Sequence, residues 1–161
     1  MAVLTILTQG NPVLKKKSKA IGKILPEIKK LIDNMEDTMR AAPGVGLAAP
    51  QIGALKRVIV ADIGEGLIAL INPKILKRSG KCMFYEGCLS VPGVEGQVER
   101  SESIRVKGLD KNGKPFVVEA EGYLAVVLQH EIDHLEGILF VDRIKDPSRI
   151  KYRKSGKDET I

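Results

Sequence analysis

The chain has 161 residues, of which 43% are hydrophobic and 29% are charged, and its formal net charge is +6. This composition is too apolar for a disordered protein, and the length fits one domain that buries a core without disulfide support. Two cysteines are too few for a disulfide framework, and no apolar run is long enough to span a membrane. The first residues show neither a basic leader nor a small-residue cleavage site, so we expect a single-domain cytoplasmic protein.

The first predicted element is an amphipathic helix over residues 24–39, and Pro26 suits its first turn. Its apolar residues recur at helical spacing: Ile28, Leu31, Ile32, Met35 and Met39. The helix is predicted to end before PGVGLAAPQIG at residues 43–53. Three glycines and two prolines in that segment predict irregular backbone rather than a helix or a strand.

After the glycine-rich segment the pattern becomes that of strands. RVIVADI at residues 57–63 and LIALINPKIL at residues 67–76 are predicted strands. FYEGCLSVPGVEG at residues 84–96 is predicted to be irregular. The runs at residues 98–110 and 114–122 flank an Asn-Gly step that is typical of a hairpin turn, so they are predicted to pair as antiparallel strands.

The last strong segment covers residues 123–136. Its first half is apolar on nearly all sides, which predicts a helix buried in the core and closed by Gly137. No repeat or low-complexity linker divides the chain. The predicted fold class is therefore α+β, with antiparallel strands and loops wrapped around a central buried helix.

Both histidines of the chain lie in QHEIDH, residues 129–134, inside this helix. Residues four apart share one helical face, so His130 and His134 can present nitrogens to the same ion while Glu131 points to its edge. Neutral imidazoles bind a divalent cation without cancelling its charge, and a carboxylate can take a proton from water and pass it on. The alternative is that the two histidines bind no metal, but their spacing of four residues and the adjacent glutamate favour a metal site.

Two histidines leave a catalytic metal one protein ligand short. Zinc proteases of the thermolysin type use a distal glutamate and metzincins use a third histidine, which this chain lacks. Cys88, in EGCLS between glycine-rich turns, is the favoured third ligand because a thiolate binds zinc or ferrous iron strongly. Cys82 is better interpreted as a small apolar residue buried on a strand.

Three motifs, taken in chain order, resemble those of the peptide deformylase family: GVGLAAPQ at residues 44–51, EGCLS at 86–90 and QHEIDH at 129–134. The resemblance covers most of the chain, as far as Phe140. It implies a metal-dependent hydrolase that removes the N-formyl group from the N-terminal methionine of new proteins and releases formate. A zinc endopeptidase using the HEIDH helix and a ribosome-associated binding protein using the basic tail are the alternatives.

The resemblance also implies roles for single residues. The implied metal ligands are Cys88, His130 and His134. Glu131 is the implied general base and, later in the reaction, the acid. The side-chain amide of Gln51 and the backbone N–H of Leu89 are implied to hold the oxyanion of the tetrahedral intermediate, a task that suits neutral donors beside a metal.

A peptide substrate is expected to lie along exposed backbone as an added strand. The residues expected to pair with its main chain are Val45, Gly46 and Gly87. The residues expected to form an apolar pocket for its methionine, on the helix before His130, are Tyr123, Val126 and Val127. Plain core packing is the alternative for this second group. Asp133 and Gln129 are candidates for orienting the metal-binding imidazoles.

We expect one divalent metal ion per chain. Thiolate and imidazole ligands suit iron, zinc, nickel and cobalt alike. The resemblance implies Fe²⁺ as the physiological ion, with Zn²⁺, Ni²⁺ or Co²⁺ replacing it in preparations. The expected partners are formylmethionyl nascent peptides and the ribosome near its exit tunnel, with no DNA and no membrane partner. Formylated initiation is expected in bacteria or organelles, and the lack of a visible transit peptide favours a bacterial cytoplasm.

The resemblance assigns residues 1–145 to the catalytic domain and residues 146–161 to a short basic tail. Seven Lys or Arg residues follow position 142. Such a tail can track phosphates or remain a solvated end, and both interpretations stay open. Pro147 and Gly156 in the tail disfavour a long docking helix.

Overall fold

A computed structural model of the chain describes residues 2–152 and residue 161. Its two α-helices are α1 (Pro26–Ala41) and α2 (Gly122–Leu135). Its strands are β1 (Gly46–Ala48), β2 (Val58–Ala61), β3 (Ile68–Ser79), β4 (Cys82–Cys88), β5 (Val91–Arg100), β6 (Ser103–Leu109), β7 (Pro115–Glu121) and β8 (Ile150–Tyr152). The α+β class and the buried helix that carries the HExxH motif are confirmed. None of the helices described has the length and hydropathy of a membrane span.

The strands form two antiparallel sheets. One has five strands in the order β1-β2-β3-β6-β7, and the other has three in the order β4-β5-β8. Helix α1 packs on one face of the larger sheet, while α2 packs on its other face and lies between it and the smaller sheet. The helix with both histidines is therefore enclosed on two sides by strands.

Strand β2 shows why the larger sheet can carry a helix on each face. Successive strand residues point to opposite sides. Val58 and Val60 belong to the apolar cluster around α1, whereas Ile59 and Ala61 belong to the cluster around α2. All four side chains are fully buried, so β2 reads as a continuous apolar run rather than an alternating one.

Helix α1 confirms the predicted amphipathic helix, displaced by about two residues at each end. Pro26 occupies its first turn, and Arg40 lies in its last turn, where a cation interacts favourably with the helix dipole. The buried face of the helix consists of Ile28, Ile32, Met35, Thr38 and Met39. The predicted hairpin is also confirmed as β6 and β7. Its turn is closed by the Asp110 carboxylate, which accepts the backbone N–H groups of Asn112 and Lys114.

Two predictions of irregular backbone are wrong. The segment at residues 43–53 contains β1 and a short 3-10 helix, and the segment at residues 84–96 lies mostly in β4 and β5. Glycine and proline lower strand propensity, but tertiary pairing overrides that preference here. Gly96 is required by close packing, because a Cβ at this position would lie 2.5 Å from the Cδ1 atom of Ile144.

The smaller sheet also includes part of the predicted tail. Strand β8 pairs with β5, with Ile150 opposite Gly96 and Tyr152 opposite Val94. The boundary between a catalytic domain and a tail after residue 145 remains a prediction. Residues 153–160, which include three of the seven Lys or Arg residues after position 142, lie outside the described residues.

The C-terminus of α2 is closed as the sequence predicts. Gly137 has a φ of +75°, its N–H donates to the carbonyl of His134, and the N–H of Ile138 donates to the carbonyl of Asp133. This pair of hydrogen bonds is the Schellman motif. Gly137 also packs closely against the segment that precedes α1. A Cβ on Gly137 would lie 2.4 Å from the carbonyl oxygen of Lys15.

We predict that Gly137→Ala lowers the free energy of unfolding by about 2 kcal/mol or more. An L-residue at positive φ costs about 1–2 kcal/mol, and the contact with the Lys15 carbonyl adds to that cost. Denaturant unfolding is the measurement. Gly22→Ala is the matched control, because a Cβ there meets no atom within 4 Å and its φ lies outside the positive region. Equal stability of the two variants would contradict the prediction.

Candidate metal centre

Three metal-ligating side chains converge between α2 and the end of β4. His130 and His134 lie one helical turn apart, with ring centroids 5.1 Å from each other. The Sγ atom of Cys88 lies 3.4 Å from Nε2 of His134, and one ligand atom from each of the three residues lies within 4.8 Å of the others. All three residues are at most 1% exposed. The ligand set predicted from the sequence is thus assembled by the fold.

Cys88 reaches this position because β4 ends in a bulge. The register between β4 and β5 pairs Gly87 with Glu95 and then Cys88 with Val91, so the strand bends immediately before the cysteine. A bulge re-aims a side chain relative to a regular strand. The other cysteine, Cys82, lies on β4 as predicted but is only partly buried, and it packs against the apolar cluster around α2.

The orientation of His130 is set by Glu86. The Nδ1 atom of His130 lies 2.8 Å from Oε1 of Glu86, and both side chains are buried. This hydrogen bond puts the ring proton on Nδ1 and leaves the lone pair on Nε2, the tautomer that binds a metal. The Nε2 atom is buried and has no hydrogen-bond partner among the described residues. A buried, unpaired nitrogen beside a thiol fits a divalent metal ion.

Glu86 is itself held by a buried arginine. Arg100 donates from Nε and Nη2 to the two carboxylate oxygens of Glu86, at 2.7 and 2.8 Å. Burial alone would raise the pKa of Glu86, but the hydrogen bonds from Arg100 and His130 outweigh burial and lower the pKa to about 2. The carboxylate is therefore charged at any physiological pH and keeps His130 in its tautomer.

Neither candidate named from the sequence orients an imidazole. Asp133 accepts hydrogen bonds from Arg100 and Arg143, and Gln129 bonds the backbone of Ser101 and the Ala125 carbonyl. Asp133 nevertheless supports His130 indirectly. It accepts a hydrogen bond from Nη1 of Arg100, and Arg100 in turn holds Glu86. Sequence reasoning missed Glu86 and Arg100. Glu86 stands two residues before Cys88 in EGCLS, whereas no sequence signal marks Arg100.

The remaining donors are poised to receive a cation. Burial lowers the pKa of His134, and the neighbouring His130 and Arg100 lower it further, so its imidazole is neutral. Burial and the neighbouring Glu131 raise the pKa of the Cys88 thiol. The thiol therefore loses its proton only when a cation replaces that proton, and metal binding is coupled to proton release.

Glu131 lies at the edge of this centre. The carboxylate is fully buried, and neither of its oxygens has a hydrogen-bond partner among the described residues. Burial raises the pKa of Glu131, and the negative charge of Glu86 raises it further. The carboxylate has room only because residue 46 is glycine, since a Cβ there would lie 2.5 Å from Oε2 of Glu131. A carboxyl with a raised pKa and no hydrogen-bond partner among the described residues is suited to accepting a proton and donating it again.

Gln51 enters the centre from the 3-10 helix after β1. Its side-chain oxygen accepts the N–H of Ala48 at 2.9 Å, which turns the amide NH2 towards Ser90 Oγ at 3.0 Å and Cys88 Sγ at 3.8 Å. The N–H of Leu89 donates to the main-chain oxygen of Ile161 at 3.1 Å. Two neutral donors therefore flank Cys88. Ser90, within the EGCLS motif, is a further contact that sequence reasoning missed.

The residues predicted to bind a peptide backbone lie on sheet edges. Strand β1 is the last strand of the larger sheet, and β4 is an outer strand of the smaller one. The N–H of Asp62 donates to the carbonyl of Val45, so Gly46, the next residue, points its N–H and C=O away from β2. Gly87 lies on β4 directly before the bulge. Among the residues that the structure describes, neither strand is paired on its outer edge near Cys88.

The residues predicted to form an apolar pocket are placed together, but they are mostly buried. Val126 and Val127 are at most 1% exposed and share one apolar cluster with Val45. Tyr123 is half-buried at the rim of this cluster and stacks against Phe84, with ring centroids 5.2 Å apart. Ile161 belongs to the same cluster.

Comparisons with known proteins agree with this geometry. The family model described as polypeptide deformylase matches residues 3–149. The peptide deformylase of Carboxydothermus hydrogenoformans is 57% identical over 143 residues, 89% of this chain and 94% of that protein. The peptide deformylase of Thermodesulfovibrio yellowstonii is 50% identical over 162 residues, 98% of each chain. A crystal structure of a peptide deformylase from Synechococcus elongatus in complex with actinonin matches with a TM-score of 0.88 at 44% identity, covering 91% of this chain and 81% of that one.

We predict that Glu86→Gln weakens zinc binding about 10- to 100-fold, because the amide holds the Nδ1–H of His130 less firmly than the carboxylate does. Competition titration against a zinc chelator is the measurement. Glu99→Gln is the matched control, since Glu99 is an exposed neighbour of Arg100 on the same strand β5. Circular dichroism spectra of both variants establish that they are folded. Unchanged zinc affinity in folded Glu86→Gln would contradict the positioning role.

Proposed function

The chain belongs to the peptide deformylase family, and from that membership we propose that Glu131, Gln51 and the backbone N–H of Leu89 act directly on the formyl group. Peptide deformylases are metalloenzymes that remove the N-formyl group from nascent peptides. The observation that carries the proposal is the convergence of Cys88, His130 and His134 beside a buried carboxyl that has no hydrogen-bond partner among the described residues.

The metal ligands in this proposal are Cys88, His130 and His134. When bound there, a divalent ion polarises the formyl carbonyl and lowers the pKa of a water molecule. We propose Fe²⁺ as the physiological ion. Zn²⁺, Ni²⁺ and Co²⁺ also suit one thiolate and two imidazoles, so each can substitute in a preparation.

Glu131 is the proton carrier in this proposal. Its carboxylate takes a proton from the attacking water and later delivers that proton to the amine that leaves the formyl carbon. Burial and the charge of Glu86 raise the pKa of Glu131, which favours the protonated form needed for the second step. The absence of a competing hydrogen bond among the described residues leaves both oxygens available for water and amine.

Gln51 and Leu89 hold the negative oxygen that forms when the formyl carbon becomes tetrahedral. The Ala48 N–H fixes the Gln51 amide so that its NH2 points towards Cys88, and no rotation is needed during the reaction. Preorganised donors of this kind contribute about 10²- to 10³-fold each to the rate. The backbone N–H of Leu89 is the second donor.

We propose that the peptide adds as a strand to the outer edges of β1 and β4 beside the centre. Gly46 offers an N–H and a C=O on the edge of β1 that no described strand pairs with, and Val45 and Gly87 complete the pairing surface. The methionine side chain occupies the apolar cluster at Tyr123, Val126 and Val127. Residues 1–145 form the catalytic domain in this proposal.

Formylated nascent chains are the substrates of the family, and this determines the proposed location of the protein. We propose that it works in the bacterial cytoplasm, near the exit tunnel of the ribosome. The relatives named above are bacterial proteins. The basic charges after residue 142 are compatible with contacts to ribosomal phosphates. Co-sedimentation of the protein with ribosomes over a range of salt concentrations tests this part.

We predict that Glu131→Gln reduces formate release at least about 100-fold, because the amide cannot carry a proton from water to the amine. The assay measures formate from a formyl-Met tripeptide, using protein loaded anaerobically with ferrous iron. Glu119→Gln is the matched control, since Glu119 is an exposed carboxylate on β7. Turnover equal to the parent in an iron-loaded Glu131→Gln protein would falsify the role of Glu131.

We predict that Gly46→Ala lowers kcat about 100-fold while the metal content stays that of the parent. The added Cβ would lie 2.5 Å from Oε2 of Glu131 and 3.0 Å from Cγ1 of Val127, so the carboxylate must move. A misplacement of about 1 Å costs a rate factor of this order. Formate release and metal analysis on the same sample check both parts. Loss of metal together with activity would contradict the prediction.

A further inference from the structure

A cavity of about 430 Å³ opens where the β3–β4 turn, the end of β5 and the second half of α2 meet. Its volume lies in the range of small-ligand sites. It is separate from the metal centre, because Cys88, His130, His134 and Glu131 do not line it. The proposed function gives it no ligand. We call it the arginine cavity, and the ionisable residues that line it are Arg78, Lys81, Glu99, Arg100, Asp133 and Arg143.

The wall of the arginine cavity carries more positive than negative charge. Its four cationic side chains and two carboxylates give a formal net charge of +2. One of the carboxylates is already engaged, since Asp133 accepts hydrogen bonds from Arg100 at 2.6 Å and from Arg143 at 2.7 Å. Among the described residues, no carboxylate forms an ion pair with the exposed Arg78 or Lys81. The electrostatic potential in the cavity therefore favours an anion.

Two residues on one face of α2 bring the guanidinium groups together. Gln129 and Asp133 lie four residues apart and so share a face. The Gln129 amide is fixed by backbone hydrogen bonds of 2.9 Å, and its Oε1 also accepts a longer one, of 3.4 Å, from Nη1 of Arg78. Asp133 orients Arg100 and Arg143. Three like charges from three parts of the chain are thus held near one another, an arrangement that a bound anion stabilises.

Arg100 supplies buried donors to the cavity. Its side chain is 3% exposed. A guanidinium carries five N–H groups, and three of those of Arg100 donate to the carboxylates of Glu86 and Asp133. The other two, one on each Nη atom, have no hydrogen-bond partner among the described residues. A buried cationic donor attracts an anion more strongly than an exposed one, because the local dielectric constant is lower.

We propose that the arginine cavity binds a phosphate group. Guanidinium groups bind phosphate oxygens in pairs. Arg78, Arg100 and Arg143 reach the cavity from β3, from β5 and from the segment after α2, so the donors approach from several directions. A tetrahedral phosphate accepts from several directions, whereas a carboxylate accepts close to one plane. The inference does not depend on the proposed function, because none of these side chains acts on the formyl group.

The test compares three zinc-loaded proteins. They are the parent, the double variant Arg78→Gln with Lys81→Gln, and the control double variant Lys74→Gln with Lys77→Gln. Both double variants lose two positive charges from exposed residues of β3 and the turn that follows it. Only the first pair lines the arginine cavity. The comparison therefore separates a local site from an effect of net charge.

Each protein is titrated with inorganic phosphate, with formate and with a short oligouridylate. The ionic strength is held constant, because salt screens exposed charges. NMR follows the backbone amides of Gly80 and Ser101, which line the cavity, and the amide of Gly113, which does not. Inorganic phosphate and oligouridylate separate two sources of the same chemical group, free phosphate and the RNA backbone. Formate tests whether a small carboxylate suffices.

In the parent, we expect phosphate to shift the Gly80 and Ser101 amides saturably, with a Kd below about 10 mM, and to leave Gly113 unchanged. Arg78→Gln with Lys81→Gln should weaken this binding at least about tenfold, because hydrogen bonds to charged groups are lost. Lys74→Gln with Lys77→Gln should stay within about twofold of the parent.

Three results would overturn the inference: no shift of the cavity amides in the parent with either phosphate source, equal weakening in the two double variants, or formate binding as tight as that of phosphate. Tighter binding of oligouridylate than of inorganic phosphate, lost in Arg78→Gln with Lys81→Gln, supports the inference and identifies the RNA backbone as the source. The opposite order, lost in the same variant, supports it with free phosphate or a small phosphate ester as the ligand.

Discussion

The buried carboxylate of Glu86 is the interaction on which the rest of the structure depends. It connects β4 to α2 through His130 and connects β4 to β5 through Arg100. An isolated charge in such a place costs several kcal/mol, and removing one partner of a buried pair is about as costly. Here the Arg100 guanidinium, held in turn by Asp133, neutralises the carboxylate. The same contacts that keep the smaller sheet against α2 also fix the metal-binding nitrogen of His130.

The fold leaves its unused polar groups where chemistry needs them. Most buried polar atoms in proteins have a hydrogen-bond partner. Among the described residues, five buried side-chain atoms lack one, and four of these belong to His130, His134 and Glu131. The surrounding network is saturated, with Gln129 and Asp133 on α2 fully engaged by backbone and arginine groups. Among the described residues, the buried polar atoms without a hydrogen-bond partner are thus concentrated at the metal centre rather than spread through the core.

The sequence predicts the helices, the β6–β7 hairpin and the cluster of Cys88, His130 and His134, because each includes a local signature. Helical spacing marks α1, and a spacing of four within one helix marks His130 and His134. The sequence does not predict β4 and β5, whose glycines serve packing against Ile144 and a bulge before Cys88. Arg100 could not be found either, since its role depends on a strand pairing across fourteen residues. Contacts of that kind exist only after the sheets form.

Helix α2 has a consequence for how the chain is made. Every residue from Ala125 to Leu135 is buried, so the helix has no face that water can stabilise. It is also synthesised after the first seven strands, whose apolar residues Ile59, Ala61 and Leu70 it covers. During translation the apolar face of those strands stays exposed until residue 135 leaves the ribosome. Intermediates that expose such a face are prone to aggregate. The domain can therefore complete its fold only after α2 has left the ribosome. The apolar surface that chaperones can bind is largest just before α2 emerges.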